Sequence, residues 1–340
     1  MTTIYDIAKK ANVSPMTVSR VINNSGNIRA TTKKRVQEAI EELGYVPNSN
    51  ARSLTSKKTK LLSLLITDIT NPFFTSVARG AEDKAMQMGY QILLSNSDEN
   101  VTKEANYIDM VLSTRVDGVL IAPTGDESLK QIKKLEKHNI PVVLIDREIQ
   151  GFKGDLVIGD NYEGSRKLIE HLIQLGHKNI ALVNGPQNVS TARERQRGYE
   201  ETLKLNGLEI NSNYISHFRY KKDYADKIVN NLLSLPKGEQ PTAIFAANNF
   251  IAASTIHALE RSGLRVPDDI AVVCFDDIQP IASFNPFLTV ASQPAYSYGF
   301  LGVQFLIERI EGNAPRDFRR IVLPPEIKLR ESSKGRSTNI

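Results

Sequence analysis

The sequence predicts an α/β protein with two doubly wound parallel sheets in two lobes, preceded by an all-α head. From Lys60 onward, short apolar strands alternate with amphipathic helices, a pattern that gives parallel sheets with right-handed crossovers. The alternation starts again after Gly159, which predicts a second lobe. In residues 1–44 the apolar residues instead follow the helical period of 3.6 in three short segments.

The first two helices of the head carry recognisable start signals. The apolar face of the first helix consists of Ile4, Ile7, Ala8 and Ala11. Thr3 followed by Asp6 gives this helix a capping-box-like start. Ser14 is expected to cap the second helix, with Pro15 at the first helical position, where its missing N–H costs nothing.

The second and third helices complete a helix-turn-helix pattern. We expect Thr31 or Thr32 to cap the third helix and Gly44 to end it. The outward-facing residues of the second helix are Pro15, Met16, Thr17, Ser19, Arg20 and Asn23. Short polar groups and one Arg on such a helix suit the reading of base edges in a major groove.

The basic charge of the chain is concentrated in its first 60 residues. These hold 11 Lys and Arg against 4 Asp and Glu, a net charge of +7, whereas the whole chain carries +5. The rest of the chain is therefore slightly acidic. Many three-helix bundles do not bind DNA, but segregation of positive charge into one small domain favours a nucleic-acid partner.

The body is predicted to alternate strands and helices from residue 61 to residue 275. Strands are expected at 61–66, 92–94, 118–122, 142–145, 180–183, 243–246 and 270–275. Helices are expected at about 73–88, 103–112, 128–138, 163–175, 191–206, 223–235 and 249–262.

Polar and aromatic residues follow five of these strands. They are Asn71, Phe73 and Phe74, then Asp146 and Arg147, then Arg193 and Arg195, then Asn248, and then Asp276. Any single one is more typical of a helix cap or a loop. Ligands of open α/β sheets bind beyond the carboxyl ends of strands, and aromatic faces with carboxylates and guanidinium groups suit a small polyol.

Motifs for other functions are absent from the sequence. The five histidines lack metal-ligand spacing, and no phosphate-loop, dinucleotide or nucleophile-elbow motif occurs, so we expect no enzyme, metal or cofactor. The longest apolar runs are too short to span a bilayer. The N-terminal residues are typical of a folded helix rather than a signal sequence, and the single Cys274 cannot form an internal disulfide. We therefore expect a cytoplasmic protein.

The head and linker motifs resemble the lactose-repressor/galactose-repressor (LacI/GalR) family. The similarity rests on the runs 4–8, 13–14 and 17–23, on Leu43-Gly-Tyr-Val-Pro-Asn48 and on Ala51-Arg-Ser-Leu54, and it continues to about residue 330. It implies a repressor that acts at least as a homodimer on palindromic operator DNA. Base-edge contacts are expected from Pro15, Met16 and Arg20, with phosphate contacts from Thr3, Ser14, Ser19, Asn23, Lys33 and Lys57. The resemblance further implies a hinge helix in which Ala51 packs against its symmetry mate and Leu54 wedges into the minor groove.

The loop residues of the body resemble the ribose-binding branch of this superfamily. The resemblance assigns Phe73 and Phe74 to stacking on the sugar and Asn71 to the cleft mouth. It assigns hydroxyl hydrogen bonds to Asp146, Arg147, Arg195, Asn248 and Asp276, with Arg193 as a support and with Tyr220 and Gln293 at aromatic and amide positions. Departures occur at Ala122, Tyr220, Asn249 and Ser292, so ribose is the first candidate, and other pentoses and purines remain open.

A transport binding protein would lack a reason for the basic head. A catabolite regulator that binds a phosphorylated carrier protein is disfavoured by Ser297 and Gln304, where an Asp and an Arg are expected.

The domain boundaries are expected to follow from these assignments. Residues 1–46 form the helix-turn-helix domain, 47–60 the hinge or linker, 61–330 the ligand-binding and dimerisation body, and 331–340 a tail. Lobe 1 is expected to comprise 61–161 and 294–322, and lobe 2 162–293 and 323–330. The tail has no leucine heptad, so no C-terminal tetramerising coil is expected.

Overall fold

A computed structural model of the chain describes residues 2–23, 25–45, 58–217, 224–277 and 286–334. The chain divides into two compact units, Met1–Thr59 and Lys60–Ile340. The first unit consists of α1 (Ile4–Lys10), α2 (Pro15–Ile22) and α3 (Ala30–Glu42). These helices enclose a small core that contains Ile7, Val18 and Val36.

The helix starts of the head follow the sequence in two cases out of three. Thr3 N donates to Asp6 Oδ2 at 2.8 Å while Asp6 N donates to Thr3 Oγ1, so the predicted capping box is present. Ser14 caps α2 through Thr17 N. The expectation of a Thr cap for α3 was wrong, because that helix begins at Ala30, a strong helix former, with Arg29 at the N-cap and no side-chain cap.

The second unit is built from alternating strands and helices. Its strands are β1 (Leu61–Ile66), β2 (Gln91–Asn96), β3 (Gly118–Ile121), β4 (Val142–Asp146), β5 (Asp155–Gly159), β6 (Ile180–Asn184), β7 (Ile215–His217), β8 (Ala243–Ala246), β9 (Ala271–Phe275), β10 (Thr289–Ser292), β11 (Arg320–Leu323) and β12 (Glu326–Lys328). Its helices are α4 (Pro72–Gln87), α5 (Val101–Thr114), α6 (Leu129–Lys137), α7 (Asn161–Gln174), α8 (Ser190–Leu205), α9 (Tyr224–Leu233), α10 (Asn249–Arg261) and α11 (Ala295–Glu311).

These strands form two sheets, one in each lobe. The sheet of lobe 1 has the order β11-β5-β4-β3-β1-β2 and is parallel throughout. The sheet of lobe 2 has the order β12-β10-β9-β8-β6-β7, with β12 antiparallel at one edge. The chain passes between the lobes after β5, after β10 and after β11, so three short segments join them.

Apolar side chains on both faces of each sheet hold the lobes together. In β1, Leu64 and Ile66 belong to the core beneath α4 and α11, whereas Leu65 belongs to the core on the opposite face, as the strand period of two requires. Helices α4 and α11 cross so closely that a Cβ on Gly299 would lie 1.9 Å from the carbonyl oxygen of Val77. The sequence pattern missed five of these strands. Three of them, β7, β11 and β12, lie at sheet edges, whereas β5 and β10 lie inside their sheets.

Candidate functional site

In the head, α2 presents the residues predicted to contact DNA on its accessible side. Met16 is 65% exposed, whereas Val18 and Val21 are buried against the other helices. Arg20 and Asn23 are exposed, and Pro15, Thr17 and Ser19 are half-buried. The predicted phosphate-contacting residues Thr3, Ser14 and Lys33 are also exposed. The predicted residues Ala51, Leu54, Lys57 and Tyr220 lie outside the described part of the chain.

In the body, a cavity of about 210 Å³ lies between the lobes, at the carboxyl ends of strands from both sheets. Eight of the predicted ligand contacts line it along with polar residues of both lobes. The lining includes Asp68, Asn71, Phe73, Phe74, Asp98, Glu99, Asp146, Arg147, Asn184, Thr191, Arg195, Ala247, Asn248, Phe250 and Asp276. The five loops that the sequence singled out therefore converge on one cavity.

Lobe 1 contributes a buried Asp–Arg pair at the end of β4. The Arg147 guanidinium donates from Nη2 and Nη1 to Glu99 Oε1 and Oε2 at 2.6 and 2.7 Å, a bidentate ion pair. Its Nη1 also reaches the carbonyl oxygens of Pro123 and Thr124 at 3.1 and 3.2 Å. Arg147 Nε lies 3.5 Å from Asp146 Oδ2. Arg147 is thus fixed in place before any ligand arrives.

Lobe 2 contributes a second Asp–Arg pair opposite the first. Arg195 Nε donates to Asn161 Oδ1 at 2.8 Å, and its Nη1 donates to the carbonyl of Ala247. The guanidinium carbon lies 3.9 Å from the centre of the Phe275 ring. Its Nη2 lies 3.8 Å from Asp276 Oδ2. The two lobes therefore face each other with the same combination of charges.

The two aspartates, Asp146 and Asp276, share an unusual backbone conformation. Both are also buried, which disfavours the charged form of the carboxyl group. Asp146 has φ +64° and Asp276 has φ +68°. Residues other than glycine rarely adopt this left-handed region, and those that do are often found at functional sites. Burial raises the pKa of Asp146 to about 6, against the opposing charges of Arg147 and Arg195. Burial also raises the pKa of Asp276, opposed by Arg195 and by a hydrogen bond from Gln293.

Aromatic rings form the apolar part of the cavity wall. Phe73 and Phe74 are both buried at the start of α4, with ring centres 5.0 Å apart and planes at 81°. Phe73 also contacts Tyr298 edge-on at 5.4 Å, which fixes its ring. These rings can meet the C–H face of a sugar or the face of a flat base.

Hydrogen bonds across the cleft hold the lobes against each other. Asn249 Nδ2 donates to Asn71 Oδ1 at 3.0 Å in a buried contact, and the same Asn71 oxygen caps α4 through Phe73 N. At the rim, Arg193 forms an exposed ion pair with Asp126 at 2.8 Å. The two lobes therefore enclose the cavity and contact each other beside it.

Two predicted ligand residues do not line the cavity. Arg193 belongs to the exposed rim pair with Asp126, and its supporting role stays a prediction. Gln293 donates to Asp276 Oδ1 at 2.6 Å and accepts from the Tyr298 hydroxyl at 2.5 Å, so it positions Asp276. Sequence reasoning missed Glu99 and Asn184, although Asn184 ends β6 and obeys the same strand-end rule.

No described helix is long and apolar enough to cross a membrane. The described residues contain no group of three His, Cys, Asp or Glu side chains placed to hold a metal ion.

Comparison with known families decides the class of this chain. Residues 59–328 match the family of periplasmic binding proteins and the sugar-binding domain of the LacI family. Residues 3–48 match the bacterial regulatory proteins of the lacI family. The chain belongs to the LacI family. It is thus a DNA-binding transcriptional regulator with a periplasmic-binding-protein-like body, as the motifs of the head predicted.

Relatives of this LacI-family chain are similar along its whole length. The transcriptional repressor PurR of Aliivibrio fischeri is 36% identical over 337 residues, 99% of each chain. A ribose operon repressor of Halalkalibacterium halodurans is 37% identical over 337 residues, 98% of each. The structure of a lac repressor dimer bound to operator and an anti-inducer matches with a TM-score of 0.83 at 28% identity, over 98% of this chain and 99% of that one. These relatives are repressors and not enzymes, but their names point to different effectors.

Proposed function

We propose that this LacI-family regulator is a repressor that binds palindromic operator DNA as a homodimer and is controlled by a small neutral polyol in the cleft, with D-ribose as the first candidate. The observation that carries the ligand assignment is the pair of buried Asp–Arg combinations, Asp146 with Arg147 and Asp276 with Arg195, facing one cavity. The two carboxylates hold few hydrogen bonds of their own and suit hydroxyl donors.

The size of the cavity supports a ligand no larger than a monosaccharide. Its volume of about 210 Å³ falls below the roughly 300–1,000 Å³ of pockets for drug-sized ligands. Phe73 and Phe74 supply an apolar wall, while Asp146, Asp276 and Asn248 supply polar groups around it. This combination is what an uncharged sugar with vicinal hydroxyls requires.

Control of DNA binding is a matter of differential affinity. A ligand shifts the balance between two arrangements of the lobes only if it binds one of them more tightly. Because the cavity walls come from both lobes, and Asn71 and Asn249 bridge them, a ligand there favours the closed arrangement. We expect closure of the lobes to lower the affinity for the operator DNA, so that the ligand acts as an inducer.

The DNA-binding surface is assigned to α2 and its flanks. Met16 and Arg20 are the main candidates for base-edge contacts, and Arg20 can form a bidentate hydrogen bond with a guanine. We expect Arg20→Ala to relax sequence preference at one position of each half-site. Lys33→Ala is the matched control, because loss of a phosphate contact weakens binding to all sequences and lowers the salt dependence. A uniform loss in Arg20→Ala would reduce Arg20 to a phosphate contact.

The test of the whole proposal uses the purified chain and an operator selected from randomised duplexes. The affinity for that operator is measured with and without D-ribose at fixed salt, and the oligomeric state is measured by light scattering. We expect a dimer whose operator affinity falls at least roughly ten-fold with saturating D-ribose. If D-ribose leaves both the affinity and the melting temperature unchanged, the ribose assignment is wrong.

A purine base is the second candidate effector. The described lining of the cavity includes three aromatic side chains, Phe73, Phe74 and Phe250, against which a flat ring can stack. The repressor PurR is also among the similar proteins. Hypoxanthine and guanine therefore belong in the same titration, and a rise in melting temperature with a purine alone would replace ribose by this class.

A further inference from the structure

The loop after β2 places an unpredicted carboxylate, Glu99, directly on a ligand-binding arginine. Asp98 and Glu99 both adopt the left-handed conformation, with φ +51° and +53°. Two such residues in succession, neither of them glycine, cost conformational energy that the surrounding contacts must supply. Glu99 N donates to the carbonyl of Thr67 at 3.1 Å, and Lys103 pairs with Asp98. The loop is thus held in a conformation that directs Glu99 at Arg147.

The contact of Glu99 with Arg147 occupies the side of the guanidinium that an anion would use. Both carboxylate oxygens of Glu99 accept from the two terminal nitrogens of Arg147, at 2.6 and 2.7 Å. This fork is also the geometry in which arginine binds a phosphate or a carboxylate of a ligand. An anionic ligand can reach Arg147 in this way only by displacing Glu99.

The charge of the cavity reinforces this exclusion. Of the described residues that line the cavity, five are acidic and two are basic: Asp68, Asp98, Glu99, Asp146 and Asp276 against Arg147 and Arg195. A further negative charge would add to this excess of acidic residues. Neutral hydroxyl groups, in contrast, donate to carboxylates and gain from this surplus.

We propose that Glu99 is a specificity-determining residue that excludes anionic sugars from the cleft by occupying the fork of Arg147. This inference rests on the proposed function, since it assumes that the cleft is the effector site. It deepens that function by assigning the effector to uncharged sugars rather than phosphorylated ones. Replacing Glu99 with a neutral side chain should free Arg147 for an anion.

The experiment measures binding of D-ribose, D-ribose 5-phosphate and inorganic phosphate by calorimetry to the wild-type chain and to Glu99→Gln. We expect Glu99→Gln to bind D-ribose 5-phosphate at least roughly ten-fold more tightly than the wild type does. Asp68→Asn is the matched control, because it removes one negative charge from the same lining while its Oδ1 can still accept from Thr70; it leaves the Glu99–Arg147 contact in place and should show no such gain. Glu99→Ala serves as the second variant if Glu99→Gln does not fold.

The outcomes separate this inference from the ribose assignment. A gain in affinity for D-ribose 5-phosphate in Glu99→Gln, but not in the control variant, supports the inference. If D-ribose binds to none of the variants, only the ribose assignment is overturned. D-ribose binding to the wild type without any gain for the phosphorylated sugar in either Glu99 variant would overturn the inference. An equal gain in Asp68→Asn would also overturn it, because total charge rather than the Arg147 fork would then set the selectivity.

Discussion

Two buried aspartates in lobe 1, Asp155 and Asp146, differ in how fully the fold satisfies them. Asp155, at the start of β5, is 1% exposed and accepts hydrogen bonds from both Arg309 and Arg319 at 2.8 to 3.0 Å. Asp146, at the end of β4, is 6% exposed, and its nearest contact with Arg147 is 3.5 Å.

The pKa values of the two groups reflect this difference. Burial acts to raise the pKa of Asp155, but hydrogen bonds from Arg309 and Arg319 outweigh it and lower the pKa to about 2. At Asp146 burial prevails and raises the pKa to about 6. Asp155 therefore stabilises the fold. The charged form of Asp146 instead costs folding free energy, as is typical of groups at ligand-binding sites.

The largest effect on stability is expected from Asp155→Asn. This change leaves Arg309 and Arg319 without their shared counter-charge, and removal of one partner of a buried ion pair costs roughly 3–5 kcal/mol. Urea denaturation at pH 7.5 measures the free energy of unfolding. Glu82→Gln, which removes an exposed ion pair with Arg79, is the control and should cost about 1 kcal/mol or less. A similar small loss in Asp155→Asn would remove the contrast between the two carboxylates.

Asp146→Asn should change stability in the opposite direction. Because the pKa of Asp146 is raised from 3.8 to about 6, the charged form costs roughly 3 kcal/mol above pH 6. The variant should therefore be as stable as the wild type at pH 7.5 or more stable. This advantage should shrink as the pH falls from about 6 to 4, where the wild-type carboxyl takes up its proton. Urea denaturation across this range tests it, and an advantage that stays constant with pH would contradict it.

A smaller effect is expected at the buried bridge between the lobes. Asn249→Ala removes the hydrogen bond to Asn71 and the one that Asn249 Oδ1 accepts from Phe250 N, and such bonds contribute about 1 kcal/mol each. Asn71 retains its bond from Phe73 N, so no buried acceptor is left orphaned. We expect weaker effector binding together with this modest loss, measured by calorimetry and by urea denaturation. Unchanged effector affinity would show that this bridge does not contribute to closure.

The smallest effect is expected at the rim. Arg193 and Asp126 are each 40% exposed, and exposed ion pairs contribute about 0–1 kcal/mol. Arg193→Ala should therefore leave the melting temperature nearly unchanged and weaken D-ribose binding by at most a few-fold. A loss as large as that in Arg195→Ala would place Arg193 in the binding site itself.

The sequence predicted the fold class and the convergence of the cleft loops for a physical reason. Central strands such as β8 and β9 are continuous apolar runs, and polar residues directly after such strands meet at one sheet edge. Edge strands such as β7 lack that apolar signal, because solvent covers part of them. The position of Glu99 depends on a left-handed turn and on Arg147, 48 residues further along the chain, which no local pattern encodes.

The most direct test of this account is the melting temperature of Asp146→Asn with and without D-ribose at pH 7.5, beside that of the wild type. The account predicts that without ribose the variant melts at or above the wild-type temperature, and that ribose raises the melting temperature of the wild type alone. A variant that melts well below the wild type and still responds to ribose would contradict it, because Asp146 would then stabilise the fold without binding the effector.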